Sequence, residues 1–457
     1  MACDCNEHSR ATLLRQAAAQ AGSGLPAIDP RMPMPAGTGL DRRSFLLRSG
    51  AAMLSVYGAS RLGFSQLEAG IARAQSEGPA PVLVSVFLDG GADSLSILAP
   101  TGHTRYPQLR PNLALSQAET LGFAEDPSLR WHPRAANLRT LHEEGKVTVM
   151  PAIGYTDADQ SHFTSRHYWE VGALNPNGNT GWLGRFIDLI GADDNPLQGL
   201  SLDGWLSPAL ATSTKPVASV DGPDYDLWTP GVWEDEISSL MYTTARDVGD
   251  LHAAASDAGR KTAGRVAGQA MRVRERLDSL DIGDPPASYP DEYFGRNLAA
   301  LAAMLDAGLP IRCAALSAAG GYDTHDNQQG SLGDDLGATF DSIFAFQRDL
   351  EQRGIADQVV TLVWSEFGRR PEENGTGAAA GTDHGAAGTA FLVGSQAKGQ
   401  LVGEFPGLTT LDEDDNLRHT VDFRAVYCGL LEQWFDQDLN DTLIPGQASF
   451  ARPTLIK

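Results

Sequence analysis

Pro81-Val82-Leu83-Val84-Ser85-Val86-Phe87-Leu88-Asp89-Gly90-Gly91 is the stretch on which the reading of the fold turns. Eight residues, mostly β-branched or apolar and without alternation, describe a strand buried on both faces, and the Asp-Gly-Gly that follows describes a tight turn. Comparable apolar runs recur at Val147 to Met150, Ile311 to Ser317, Val359 to Trp364 and Thr389 to Val393. Helical spacing lies between several of them: Phe340, Ile343, Phe344 and Leu350 before Gly354, and Phe423, Tyr427, Leu430, Leu431 and Trp434 near the end. Strand and helix in alternation predict an α/β fold, a three-layer sandwich with a mainly parallel central sheet covered by helices on both faces. From about 233 to 309 the strand signal disappears, and Ala263, Val266, Ala270, Val273, Leu277 and Leu280 keep a 3-4 apolar spacing. That pattern predicts a helical insertion packed on the main domain. Pro371 to Gly388, rich in Gly and Ala without a period, reads as a surface loop.

Upstream of this domain, Asp41-Arg42-Arg43-Ser44-Phe45-Leu46-Leu47 pairs two arginines with an apolar run to Leu62, and Ala72-Arg73-Ala74 has the small residues of a signal-peptidase site. Arg48 and Arg61 interrupt the run, which is too short and too rich in small residues for a membrane span. The expectation is a twin-arginine leader over 1–74 and a mature domain over 75–457, without a membrane span, exported to the periplasm, cell surface or medium. The whole sequence of 457 residues carries a net charge of −23. That balance argues against a phosphate-backbone binder, so nucleic acid is not an expected partner, whereas clustered carboxylates favour divalent cations. Cys3 and Cys5 fall in the leader; Cys313 and Cys428 lie in apolar patterns and read as buried small hydrophobes, with a disulfide between them left open.

In open α/β sheets ligands bind beyond the carboxyl ends of the strands. There the sequence places Asp89 and Asp93, Ser161-His162, Asp323-Thr324-His325, Ser365-Glu366 with Arg369, and Asp383-His384. Asp-x-His in an extended segment turns an oxygen and a nitrogen to the same side, a pairing suited to a cation. Acids and imidazoles from four strand ends facing one crevice repel one another unless a cation or protons neutralise them.

Several motifs in fixed order resemble a known family. Phe87-Leu-Asp-Gly-Gly-Ala-Asp93, Gln160-Ser-His-Phe163, Tyr168-Trp-Glu170, Gly181-Trp-Leu-Gly-Arg185, Tyr322-Asp-Thr-His325, Ser365-Glu-Phe-Gly-Arg369, Asp383-His-Gly385 and Asp422-Phe-Arg-Ala-Val-Tyr427 look like the family called domain of unknown function 1501. The resemblance implies a fold similar to the alkaline phosphatase and sulfatase superfamily, whose members bind one or two metal ions beside a Ser or Thr nucleophile. Carried over by position, it implies Asp89 as first ligand, with Asp93 competing for that role. Asp323 and His325 would hold one metal and Glu366 another, and Asp383 with His384 would complete the set. Ser161 would be the nucleophile at a helix start, with His162 or Arg369 balancing charge. Two plain alternatives stand beside this: Ser161 as a helix N-cap, and Arg369 as the structural partner of a carboxylate. Ser365-Glu366 also departs from the superfamily's Asp-His pair, offering one ligand where two are expected.

The resulting expectation is an exported hydrolase of phosphate or sulfate esters that depends on a divalent metal, zinc, manganese or calcium, with an anionic ester or carbohydrate as substrate. The alternative is a catalytically decayed relative serving as a structural or carbohydrate-binding surface with protein partners at the cell envelope.

Overall fold

The computed structural model describes residues 54–57, 80–193, 195–220, 235–278 and 285–457. Arg42, Arg43 and the Ala72-Arg73-Ala74 site lie outside these residues, as do Trp233, Leu280 and the side chains of Val266, Val273 and Leu277.

The strands that build the main sheet and its adjoining hairpin are β1 (Leu54–Tyr57), β2 (Val82–Phe87), β3 (Val147–Gly154), β4 (Gly199–Ser201), β5 (Val217–Val220), β6 (Cys313–Ser317), β7 (Val359–Trp364), β8 (Arg369–Asn374), β9 (Gly381–His384), β10 (Gly388–Val393) and β11 (Val421–Asp422). The longer helices are α1 (Ala136–Glu143), α2 (His162–Val171), α3 (Trp182–Ile190), α4 (Asp235–Ala253), α5 (Ala258–Asp278), α6 (Tyr293–Asp306), α7 (Gln328–Arg353) and α8 (Phe423–Gln433).

Nine strands form one sheet in the order β1-β5-β4-β6-β2-β7-β10-β3-β11. β2 sits at its centre, parallel to β6 on one side and to β7 on the other, and every residue of β2 and β7 is buried. Burial on both faces is why these two strands read as unbroken apolar runs. β10 runs antiparallel to both neighbours, β7 and β3, and β1 runs antiparallel to β5; the remaining strands share one direction. The α/β expectation with a mainly parallel sheet is therefore borne out.

Two apolar cores lie against the sheet. One gathers Val84, Val86, Val363 and Phe391 with Phe340, Ile343 and Phe346 of α7 and Phe294, Leu298 and Leu301 of α6. The other gathers Leu83, Leu362 and Leu392 with Phe186 and Ile187 of α3 and with Phe423, Tyr427 and Leu431 of α8. Alternate residues of each strand supply alternate cores, which makes the three layers. α4 and α5 form a helical pair, and Ala270 and Met271 of α5 join the first core, so this segment packs on the sheet domain. Among the described residues no helix is long and apolar enough to cross a membrane. Cys313 and Cys428 are both buried and free.

One sequence expectation changes. The stretch from Pro371 to Gly388 is not an open loop: β8 and β9 pair as an antiparallel hairpin, with Arg369 opposite His384 and Asn374 opposite Gly381. Its Gly- and Ala-rich composition hid a ribbon whose side chains contribute little apolar signal. Within the expected leader, residues 54–57 form the edge strand β1.

Asp93 does not face the crevice. It is fully buried and takes a two-pronged bond from Arg110, Nη1 to Oδ2 at 2.5 Å and Nη2 to Oδ1 at 2.8 Å, while Ser96 and Gln328 also donate to Oδ2. Arg110 goes on to the carbonyls of Arg370 and Pro371, pinning the β8–β9 hairpin to the loop after β2. The sequence reading of Asp93 as a competing metal ligand is thereby corrected: both its oxygens are engaged inside the protein, away from the crevice. Burial pushes its carboxyl up, but the charge and hydrogen bonds of Arg110 outweigh burial and hold it below the usual carboxylate range. Breaking such a pair by removing one partner leaves an uncompensated buried charge, so Asp93→Asn is expected to cost about 3–5 kcal/mol, read as a fall in the urea midpoint. A lowered carboxyl stabilises the fold fully above its unfolded value of about pH 4 and loses that contribution as pH falls through the lowered folded value. The variant should therefore lose less stability than the parent on acidification.

Candidate metal centre

The parallel strands β2, β3, β6 and β7 all end at one edge of the sheet, and β10, running the other way, begins there. That reversal is why Asp383 and His384, which precede β10, meet residues that follow the other strands. The loop after β2 passes very close to its neighbours. A Cβ at Gly90 (φ +117°) would lie 2.3 Å from the Asp323 amide nitrogen, and one at Gly91 (φ +71°) 2.2 Å from the Phe367 ring. Only glycine fits these approaches.

Glu366, fully buried after β7, gathers the loop. The Gly90 amide donates to its Oε1 and the Gly91 amide to its Oε2, each at 3.1 Å, and Ser365 Oγ lies 3.0 Å from Oε2. Its remaining bond goes to His162 Nδ1, 2.7 Å from Oε1. His162 opens α2, whose N-cap is Ser161, with Oγ accepting the Thr164 amide at 3.5 Å.

Each of the three histidines has its Nδ1 turned to an acceptor. His162 faces the Glu366 carboxylate; His384 faces the carbonyl of Gln160 at 2.8 Å; His325 faces Asp383 Oδ1 at 3.2 Å, which also accepts from Asn374. Carbonyls and ionised carboxylates only accept, so the accounting puts the proton on Nδ1 and leaves a lone pair on each Nε2. These Nε2 atoms converge. His325 Nε2 and His384 Nε2 are 2.9 Å apart, and Asp323 Oδ1 lies 3.1 Å from the first and 3.2 Å from the second. His162 Nε2 is 3.5 Å from the same oxygen, buried, and without a hydrogen-bond partner. Ligand atoms of His162, Asp323 and His384 all lie within 4.8 Å of one another, and among the described residues this is the one group of three or more such donors. Phe367 packs against the rings of both His162 and His384 at 5.1 and 4.8 Å.

Arg369 is fully buried and binds the carbonyls of Gly90, Gly91, Tyr322 and Thr382 as well as Asp323 Oδ1, the last at 2.5 Å. Burial raises the Asp323 carboxyl, but the hydrogen bond and charge of Arg369 outweigh it and hold it below the usual carboxylate range. The His162 imidazole is pushed up by its bond to Glu366 against the opposing effect of burial. Asp89 is exposed beside the cluster, its carboxyl raised by burial of part of its surroundings and by the charge of Glu366.

The sequence-predicted residues thus divide. Asp323, His325 and His384 meet at one point, and His162 joins them as a fourth donor where the sequence reading gave it charge balance. Glu366 and Asp383 are not turned to that point; they hold the Nδ1 atoms of His162 and His325. Asp93 lies in the separate buried pair, and Arg369 is a positioning residue enclosed by carbonyls rather than an open charge. Ser161 does cap a helix, and Asp89 stands at the rim. The role of His162 left no short-range signal, because its partner Glu366 is 204 residues away. The donor set fits a divalent cation, since it presents three convergent nitrogens and a carboxylate, one of the nitrogens orphaned and buried.

Lysine keeps a charge but lacks the planar fork that meets four carbonyls at once. Arg369→Lys is therefore expected to destabilise the fold by about 2–4 kcal/mol, with several buried carbonyls left unpaired. Urea unfolding of the variant beside the parent checks this.

Residues 232–431 match the family model described as protein of unknown function (DUF1501). No curated protein matches the chain. Among solved structures, Ps i-CgsB in complex with k-i-k-neocarrahexaose is similar at 9% identity and a TM-score of 0.36, covering 82% of this chain and 75% of that one. The PsFucS1 sulfatase from Pseudoalteromonas sp. is similar at 11% identity and a TM-score of 0.35, covering 85% and 76%. A protein in the alkaline phosphatase superfamily from Vibrio parahaemolyticus shows 9% identity and a TM-score of 0.35, covering 90% and 79%. Likeness at these scores carries no argument about the site. The motif resemblance and the matched segment agree: over residues 232–431 the chain is similar to the DUF1501 proteins of unknown function.

Proposed function

We propose that this protein is an exported metal-dependent hydrolase of anionic esters, phosphate or sulfate. The observation that supports the reading most is the meeting of the His162 and His384 Nε2 lone pairs with Asp323 Oδ1 at the strand ends, His162 Nε2 being buried and unpartnered and His325 Nε2 lying beside Asp323 and His384. Asp323, His162, His325 and His384 would hold the cation. When bound, it supplies Lewis-acid polarisation of the ester and a lowered pKa for the attacking group.

The chain's own groups do the rest. Helix α2 begins at the cluster, and its first-turn amides offer hydrogen bonds and a positive dipole end to an anionic ester. Ser161, beside His162, is the proposed nucleophile. Asp89, its carboxyl raised and exposed at the rim, is placed to exchange a proton with a leaving group. Arg369 holds Asp323 and the Gly90-Gly91 loop in place. Exposure of about half of the Asp323 side chain and 44% of His325 leaves the cluster open to a ligand.

A second reading, a decayed site used as a binding surface, is favoured by Glu366. Its oxygens are spent on two amides, a serine and an imidazole, so the second cation position implied by the resemblance has no acid to offer. Hydrolysis of nitrophenyl phosphate and nitrophenyl sulfate with added zinc, manganese or calcium separates the two. Turnover in the parent, reduced a hundredfold or more, on the order expected for loss of a nucleophile, in a folded Ser161→Ala variant supports the enzyme. Loss of the cap alone costs about 0.5–2 kcal/mol of stability and leaves the rate of the folded fraction unchanged. No turnover of either ester by metal-loaded parent supports the binding surface.

Export completes the proposal. Removal of a leader ending near Ala74 would take β1 with it and make β5 the sheet edge. Replacing Arg42 and Arg43 by lysine is expected to hold the protein in the cytoplasm, as read by fractionation. Secretion of the doubly substituted chain at the parent's level would count against the twin-arginine route.

A further inference from the structure

We infer that the centre is a one-cation, nitrogen-rich site that selects a borderline transition cation such as zinc over calcium and magnesium, with His162 as the ligand that sets the selection. The inference rests on the metal-dependent reading above and concerns which ion that centre takes.

Two arrangements can relieve three converging lone pairs. A single proton shared between His325 and His384 would suit their 2.9 Å separation, and it would satisfy two nitrogens. It would leave His162 Nε2 buried and without a partner, at a cost of about 1–3 kcal/mol. A cation held by His162, Asp323 and His384 gives the orphaned nitrogen a partner, with His325 Nε2, 2.9 Å from His384 Nε2 and 3.1 Å from Asp323 Oδ1, as the fourth donor.

Which cation follows from the oxygens. Calcium takes 6–8 oxygen ligands, and magnesium keeps to oxygens in a strict octahedron. Here the nearby acids other than Asp89, which stands exposed at the rim, are already engaged. Both oxygens of Glu366 accept protein hydrogen bonds, Asp383 Oδ1 accepts from His325 and Asn374, and Asp93 is sealed against Arg110. Asp89 and Asp323 remain, the latter with its Oδ1 already shared with Arg369. Three imidazoles and one carboxylate match the preference of zinc and its neighbours. The arrangement also has the supporting acceptors that metal-bound histidines use: Glu366, Asp383 and the Gln160 carbonyl each hold one Nδ1. Among the described residues no second donor group exists for a second ion.

The test is a metal titration of the full chain after chelator treatment, followed by calorimetry and by the absorption of bound Co2+. One equivalent of Zn2+ or Co2+ is expected to bind roughly a hundredfold or more tighter than Ca2+ or Mg2+. His162→Ala should weaken Zn2+ at least about tenfold, and Glu366→Gln about 10–100-fold. His162→Asp, which trades a nitrogen for oxygens, should narrow the gap between Zn2+ and Ca2+, a change that loss of packing would not produce. Far-UV circular dichroism follows folding in each variant. Paramagnetic resonance of the Cu2+-loaded parent counts ligand nitrogens without any substitution: three are expected. Two or fewer nitrogens, Ca2+ bound as tightly as Zn2+, two tight equivalents, or unchanged Zn2+ affinity in His162→Ala would each overturn the inference. No ester enters the titration, so a chain that binds Zn2+ as described yet hydrolyses nothing would retire the hydrolase and leave this assignment. Hydrolysis supported by calcium with weak zinc binding would do the reverse.

Discussion

One guanidinium holds the functional edge of this protein together. Arg369 reaches the carbonyls of Gly90 and Gly91 after β2, Tyr322 after β6 and Thr382 in β9, and ends on Asp323. Loops at strand ends have no sheet partners for their backbone groups, and a buried carbonyl without a donor is costly. A planar fork with five N–H donors answers several of them at one place, and its charge keeps Asp323 ionised. The donor cluster inherits its shape from that arrangement: Asp323 is where Arg369 puts it, and the imidazoles converge on Asp323.

Charge balance around the edge follows a consistent division of labour. Buried carboxylates are paired inward, Asp93 with Arg110 and Glu366 with two amides and His162. Exposed ones, Asp89, Asp323 and Asp383, line the opening. Glu366 and Asp383 therefore act through histidines, fixing the direction of the opposite ring nitrogen. Such an arrangement turns imidazoles rather than acids toward the ligand position, even though acids outnumber imidazoles among the strand-end residues of the sequence.

The fold was largely legible because its signals are local. Val82–Phe87 and Val359–Trp364 are buried on both faces, so they read as unbroken apolar runs, and α7 and α8 show their buried stripes at helical spacing. Short strands escaped notice. Gly199–Ser201 is three residues long, and its place in the sheet comes from neighbours rather than from its own composition. The hairpin Arg369–His384 escaped for a related reason: Gly-rich and polar residues carry no period, and its stability comes from Arg110 and Arg369, distant in sequence from most of what they bind.

By itself the amino-acid order determined the alternation of strands and helices, the strand-end positions of Asp89, Ser161, Asp323, His325, Glu366, Asp383 and His384, and the family likeness that their motifs carry. Tertiary structure alone decided which of these atoms face one another. It reversed β10 so that His384 arrives from the opposite direction, turned Glu366 onto His162, and sent Asp93 into the interior with Arg110. The physical reason is that residue types along a chain record what a side chain can donate or accept, while the direction of a lone pair is set by a hydrogen bond made across the fold, here between groups 204 and 224 residues apart.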